Sequence, residues 1–111
     1  MESPTRRWKR FKVDFRVKLQ RQDSAKREVL VVRTFELSEG GMSVYASEEL
    51  ELGAQALAEL VLPGKSKVMR LRAVVRNRRG FRCGLEFVDI TTSERAEISR
   101  YLSTLADVIE I

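Results

Sequence analysis

From Lys12 to Leu19 polar and apolar residues alternate without a miss. Val13, Phe15, Val17 and Leu19 fall on one side, and Lys12, Asp14, Arg16 and Lys18 on the other. A period of two marks a strand with one buried face. Gln20 to Arg27 is polar and reads as a loop, and VLVVRTFEL (29–37) is β-branched and aromatic, a second strand. SEGG at 38–41 breaks it, MSVYAS (42–47) resumes as a third, and EELELG (48–53) is an acidic connection. The composition of ALAELVL (56–62) fits helix or strand; its place between strands and ahead of Pro63-Gly64 favours a strand. Residues 67–76 alternate again, with Met69, Leu71, Ala73 and Val75 against Arg70, Arg72 and Arg76. NRRG (77–80) predicts a tight turn, and FRCGLEF (81–87) places Phe81, Cys83, Leu85 and Phe87 on one face. Cys83 is then a small core residue and not a reactive thiol.

After Asp89 the period changes. Ile98, Leu102, Leu105 and Ile109 follow the i, i+4, i+7, i+11 spacing of one helix face. Thr91 and Glu94 stand in capping-box relation, so a helix is expected over about 92–109. Its apolar stripe should cover an opening or flank of the strands. There is no internal repeat and no low-complexity segment. About six short antiparallel strands followed by one helix describe an all-β domain, a small barrel, over residues 11–111. Residues 1–10 form a flexible basic arm ahead of it.

Charge sharpens the picture. The chain has 111 residues, suited to one domain with its own core. Its formal net charge is +5, yet residues 1–35 carry 11 Lys+Arg against 4 Asp+Glu, so the excess is N-terminal. Such a distribution points to an anionic partner. A second basic stretch, Lys65 to Arg82, holds eight cations and no acid, and reads as the outer face of a hairpin. Histidine is absent. That removes the usual general base, the Ser-His and Cys-His nucleophile pairs and the commonest transition-metal ligand, so neither an enzyme nor a metal or cofactor is expected. One cysteine makes no internal disulfide, in keeping with a reducing cytoplasm. No apolar run approaches the ~18 residues that span a bilayer, and the N-terminus has no signal-peptide core, so no membrane role is expected.

Two short stretches carry candidate chemistry. Arg6, Arg7, Trp8, Lys9, Arg10 and Phe11 pack four cations around the one tryptophan, with Arg6 and Arg10 in Arg-x-x-x-Arg spacing before the first strand. Within FELSEGGMSV, Glu36-x-Ser38-x-x-Gly41 sits at a strand end. Glu36 and Ser38 are two apart and share a face in extended chain. Gly40 and Gly41 permit close approach and positive φ. An arginine fork fits a phosphate, or the O6/N7 edge of guanine, bidentately. Trp8 can stack on a base or pin the arm to the barrel. Each stretch alone has a plainer explanation, a solvated tail for one and a turn for the other.

Together, in this order, they resemble the PilZ family, with its Arg-x-x-x-Arg arm, its Asp/Asn-x-Ser-x-x-Gly motif after the second strand and a Gly-aliphatic-x-Phe sequence in the last strand. Arg6 and Arg10, Ser38 and Gly41, and Gly84-Leu85-Glu86-Phe87 match it, over about Arg6 to Leu102. Glu36 stands where Asp or Asn is usual. The resemblance implies a six-stranded antiparallel split β-barrel with a C-terminal α-helix. It also implies a stand-alone receptor for cyclic di-GMP that passes its signal to an unidentified downstream protein. The ligand set it implies is Arg6, Arg7, Arg10, Glu36, Ser38, Gly40 and Gly41, with Trp8 as candidate stacking residue and Glu36 and Ser38 accepting from the guanine N1/N2 edge. Two rival readings stand beside it. One is a PilZ-like adaptor that has lost the nucleotide and acts through protein contacts. The other is a small basic barrel that binds nucleic acid, disfavoured because the aromatics other than Trp8 fall mostly at expected core positions. Homodimerisation is left open.

Overall fold

The computed structural model describes residues 8–22, 28–47 and 50–109, with side chains through residue 105. Six strands and one helix follow in order: β1 (Phe11–Arg21), β2 (Val29–Leu37), β3 (Gly41–Tyr45), β4 (Gln55–Val61), β5 (Val68–Arg79), β6 (Arg82–Val88) and α1 (Thr92–Ile109). All pairings are antiparallel, and the strands close a barrel in the order β1-β2-β3-β6-β5-β4. The closing seam is short: β1 meets β4 only from Lys18 to Arg21. This is the six-stranded antiparallel β-barrel with a C-terminal helix that the strand pattern predicts.

The alternating residues do what their period requires. Val17, Leu19, Val32, Val44, Leu71 and Val75 are buried, while Arg16, Lys18, Arg33, Arg70, Arg72 and Arg76 stand outside. ALAELVL is a strand, with Ala56, Ala58 and Leu60 turned inward. The exterior cations of β5 and its approach pair with acids on adjacent elements: Lys67 with Glu97, Arg70 with Glu59, Arg72 with Asp89 and Arg76 with Glu86. The basic stretch is thus, in large part, the outer face of a hairpin.

Three details depart from the sequence pattern. Strand β5 does not stop at residue 76: Asn77, Arg78 and Arg79 continue the ladder opposite Gly84, Cys83 and Arg82. The turn shrinks to Gly80 and Phe81, and Gly80 takes a positive φ of 62° that a side chain would oppose. Phe81 therefore leaves the core face and is 70% exposed. The other aromatics are not all internal either. Phe35 and Tyr45 stack outside the barrel with ring centroids 4.4 Å apart, and the Arg82 guanidinium lies 5.7 Å from each. Finally, a register shift between Lys12 and Phe15 leaves Val13 and Phe15 only half-buried while Phe11 is buried.

A left-handed Asp89 (φ 57°) turns the chain from β6 towards the helix. The capping box forms: Thr91 N–H donates to Glu94 Oε1 and Glu94 N–H to Thr91 Oγ1, both at 3.0 Å. Ile98 and Leu102 bury the helix stripe in the barrel core, and Tyr101 meets Phe15 edge to face at 6.5 Å. Full burial of one such aliphatic side chain contributes about 1.5–3 kcal/mol. The helix is held by its stripe, with its first turn beside the β2–β3 turn.

Candidate functional site

The site begins with a buried threonine. Thr34 is wholly inaccessible, and its Oγ1 lies 3.0 Å from the Glu36 carbonyl and 2.9 Å from that of Ser43. Its proton is shared between two backbone acceptors where the β2–β3 register slips between Thr34 and Glu36. The ladder resumes beyond that bulge, with Glu36 opposite Ser43 and Leu37 opposite Met42. Leu37 then enters the core, while Glu36 and Ser38 both line one cavity of about 600 Å³. Small-molecule sites fall in this range of volumes.

The turn after Leu37 is built by Ser38. Its Oγ accepts from the N–H groups of Gly40 and Gly41, each at 3.1 Å, while its own N–H donates to the Gly41 carbonyl at 2.9 Å. Ser38 is buried. In this conformation its hydroxyl shapes the turn, and Glu36 offers the more accessible acceptor. The glycines serve space and not positive φ. A Cβ on Gly41 would collide with the Leu85 carbonyl of β6. A Cβ on Gly40 would run into the indole of Trp8, meeting Nε1 at 2.8 Å.

Trp8 is thus pinned on the turn by its approach to Gly40. The Arg95 guanidinium, from the first turn of α1, lies 4.9 Å from the Trp8 ring centroid. Arg10 places Nη1 3.7 Å from Glu36 Oε1, a half-exposed ion pair that Ser43 Oγ joins at 3.4 Å. Arg76 is engaged by Glu86 at 2.6 Å. Trp8, Arg10, Glu36, Ser38, Gly40 and Gly41 therefore share one cavity, although the arm and the turn lie far apart in sequence. Arg6 and Arg7 lie outside the described residues.

Sequence reasoning missed part of the wall. Arg76, Asn77 and Glu86 reach the cavity because β5 and β6 pair beside β3, and Arg95 because α1 starts there. Arg76 and Asn77 left no signal of a site, and Glu86 lies within the Gly84–Phe87 match without having been assigned to the cavity. Arg95 left one: a cation in the first turn of a helix opposes the helix dipole and asks for a local reason.

The chain matches a known family. The PilZ domain family model matches residues 4–104, and the chain belongs to that family. Its fold resembles that of the PilZ domain of CeSA from a cellulose-synthesizing bacterium, with TM-score 0.67 and 18% identity over 87% of this chain and 97% of that one. The PilZ domain of Escherichia coli YcgR, solved with c-di-GMP, gives TM-score 0.67 and 18% identity over 96% of this chain and 98% of that one. Bacillus subtilis MotI (DgrA), an inhibitor of motility, gives TM-score 0.76 and 16% identity over the whole chain, which spans 55% of that protein. No significant sequence match was found among curated proteins. PilZ domains are receptor or adaptor domains and not enzymes. Among the described residues no helix is long and apolar enough to cross a membrane, and no His/Cys/Asp/Glu cluster could hold a metal.

Proposed function

We propose that this PilZ domain is a cyclic di-GMP receptor whose site is the cavity between the arm, the β2–β3 turn and the start of α1. The observation that carries the reading is the convergence of Arg10, Glu36 and Trp8 on one turn whose glycines are kept bare by close neighbours. Arg10 supplies a bidentate fork for a phosphate or the guanine O6/N7 edge. The Glu36 carboxylate is an acceptor for the guanine N1/N2 donors, and the indole offers a stacking face. Ser38 holds the turn in shape and stands beside the same base edge. Arg6 and Arg7 complete the grip from the basic arm, residues 1–10. Binding closes the arm over the ligand, starting from Trp8 and Arg10 already at the cavity, and presents a changed surface to a downstream protein in the cytoplasm.

The Arg10–Glu36 pair also bears on the rival adaptor reading, since each group already neutralises the other. Half-exposed pairs of this kind are worth about 0–1 kcal/mol, so a doubly charged ligand can replace the contact. Nucleic-acid binding has less support, because much of the basic hairpin is paired with carboxylates. The test is a calorimetric titration of the full chain with cyclic di-GMP, GTP and cyclic di-AMP. Saturable binding of cyclic di-GMP in preference to both others is expected. Binding of none of the three removes the receptor reading and leaves the adaptor.

A further inference from the structure

Three features set Arg95 apart from the other arginines of the cavity. First, it lies in the first turn of α1, where the helix dipole is positive and a cation is disfavoured. Second, its Nε is, among the described residues, the buried side-chain nitrogen or oxygen left without a hydrogen-bond partner. A buried charged donor with no acceptor carries a desolvation cost. Third, its guanidinium lies against the Trp8 ring, 4.9 Å from the centroid, and lines the candidate cavity. The other two arginines of the cavity differ, since Arg10 is paired with Glu36 and Arg76 with Glu86.

We infer that Arg95 is a ligand-binding residue of this site: an arginine supplied by the C-terminal helix and held ready on Trp8 for a phosphate of the cyclic dinucleotide. The Nε–H and the adjacent Nη–H of a guanidinium form one donor edge with the spacing of two phosphate oxygens. A phosphate there supplies the missing acceptor and restores the negative charge that a helix start favours. Stacking on the indole fixes the plane of the fork beforehand, so little rotamer freedom remains to be lost on binding. The inference rests on the receptor reading and deepens it, because it makes α1 a wall of the site.

The experiment uses the full chain and cyclic di-GMP as the probe, with Arg95→Gln, Arg95→Lys and, as a charge-matched control, Arg100→Gln on the exposed side of the same helix. Arg95→Gln is expected to weaken binding about 10- to 100-fold, Arg95→Lys to recover only part of that, and Arg100→Gln to bind as the wild type does. In the wild type the Arg95 Nε–H resonance should shift and gain protection from water exchange at saturation. Equal affinity in wild type and Arg95→Gln overturns the inference and leaves the receptor reading standing. An Nε–H resonance unmoved by ligand overturns it too, even if affinity falls, because Arg95 would then act only through Trp8. A wild type that does not bind cyclic di-GMP removes the receptor reading, and this inference with it.

Discussion

Gly40 and Gly41 are adjacent in sequence, and replacing each by alanine should have opposite consequences. At Gly41 the new methyl collides with the Leu85 carbonyl, a backbone group of the central pair β3–β6. It can be accommodated only by parting those strands next to Gly41↔Glu86 and next to the Phe87 N–H to Gly40 carbonyl bond of 2.9 Å. Overpacking a tight site costs about 1–3 kcal/mol, and each buried backbone group left unpaired adds about 1–3 kcal/mol. Together about 2–6 kcal/mol is expected, a fall in Tm of about 8 °C or more for a domain of this size. At Gly40 the atoms nearest the new methyl belong to the Trp8 ring, a side chain and not backbone, which would have to yield. Barrel stability should change by less than about 0.5 kcal/mol, as at surface positions without special contacts. The indole, however, must leave the turn. Far-UV circular dichroism melts report the first effect, and the emission of the one tryptophan reports the second. Gly41→Ala melting like the wild type, or Gly40→Ala with an unmoved tryptophan spectrum, would refute the steric reasoning.

Further outcomes follow from other contacts. Arg10→Ala should weaken cyclic di-GMP binding by about 1.5–3 kcal/mol if the fork contacts phosphate or guanine, checked by titration; wild-type affinity would return the arm to a solvated tail. Glu36→Asp should hold or improve that affinity while Glu36→Ala reduces it and narrows the preference over cyclic di-AMP, because the guanine donors lose their acceptor. Thr91→Ala removes one arm of the capping box and should cost about 1 kcal/mol, seen as a Tm about 4–8 °C lower. Burial pushes the Cys83 thiol above its ordinary value, so the folded state holds the proton that the unfolded chain releases. Its contribution to stability is complete below the unfolded pKa of about 8.5 and declines as pH rises through the folded value. Urea midpoints should therefore fall from pH 8 towards pH 10, less so in Cys83→Ala.

Most of the barrel was legible because each strand has one dry face, and a period of two survives where packing is one-sided. It failed where the chain left regular pairing. Phe81 continues the alternation of FRCGLEF in sequence, but Gly80 and Phe81 form the turn, and a turn residue answers to the hairpin and not to the core. The aromatics were expected mostly in the core, but Phe35 and Tyr45 stack on each other outside the barrel under Arg82. The candidate site was legible as two motifs, since Arg10 and the Glu36–Gly41 segment each carry local signatures. What joins them was not. The burial of Thr34 beneath the bulge and the arrival of Arg95 opposite Trp8 depend on which strands and helix become neighbours, which no local spacing encodes.

The short β1–β4 seam has a consequence for association. Pairing with β4 starts only at Lys18, so the first half of β1 has no strand on that side, and α1 packs against β1. An uncovered strand with buried Phe11 and half-buried Phe15 would present both unpaired backbone groups and apolar surface, a template for adding another chain. By packing on β1 through Tyr101 and Phe15, the helix would shield this edge from other copies of the chain, besides lining the cavity through Arg95. Any event that loosened α1 would expose a self-adhesive edge, which makes its two anchors, Ile98 and Leu102, guardians of solubility.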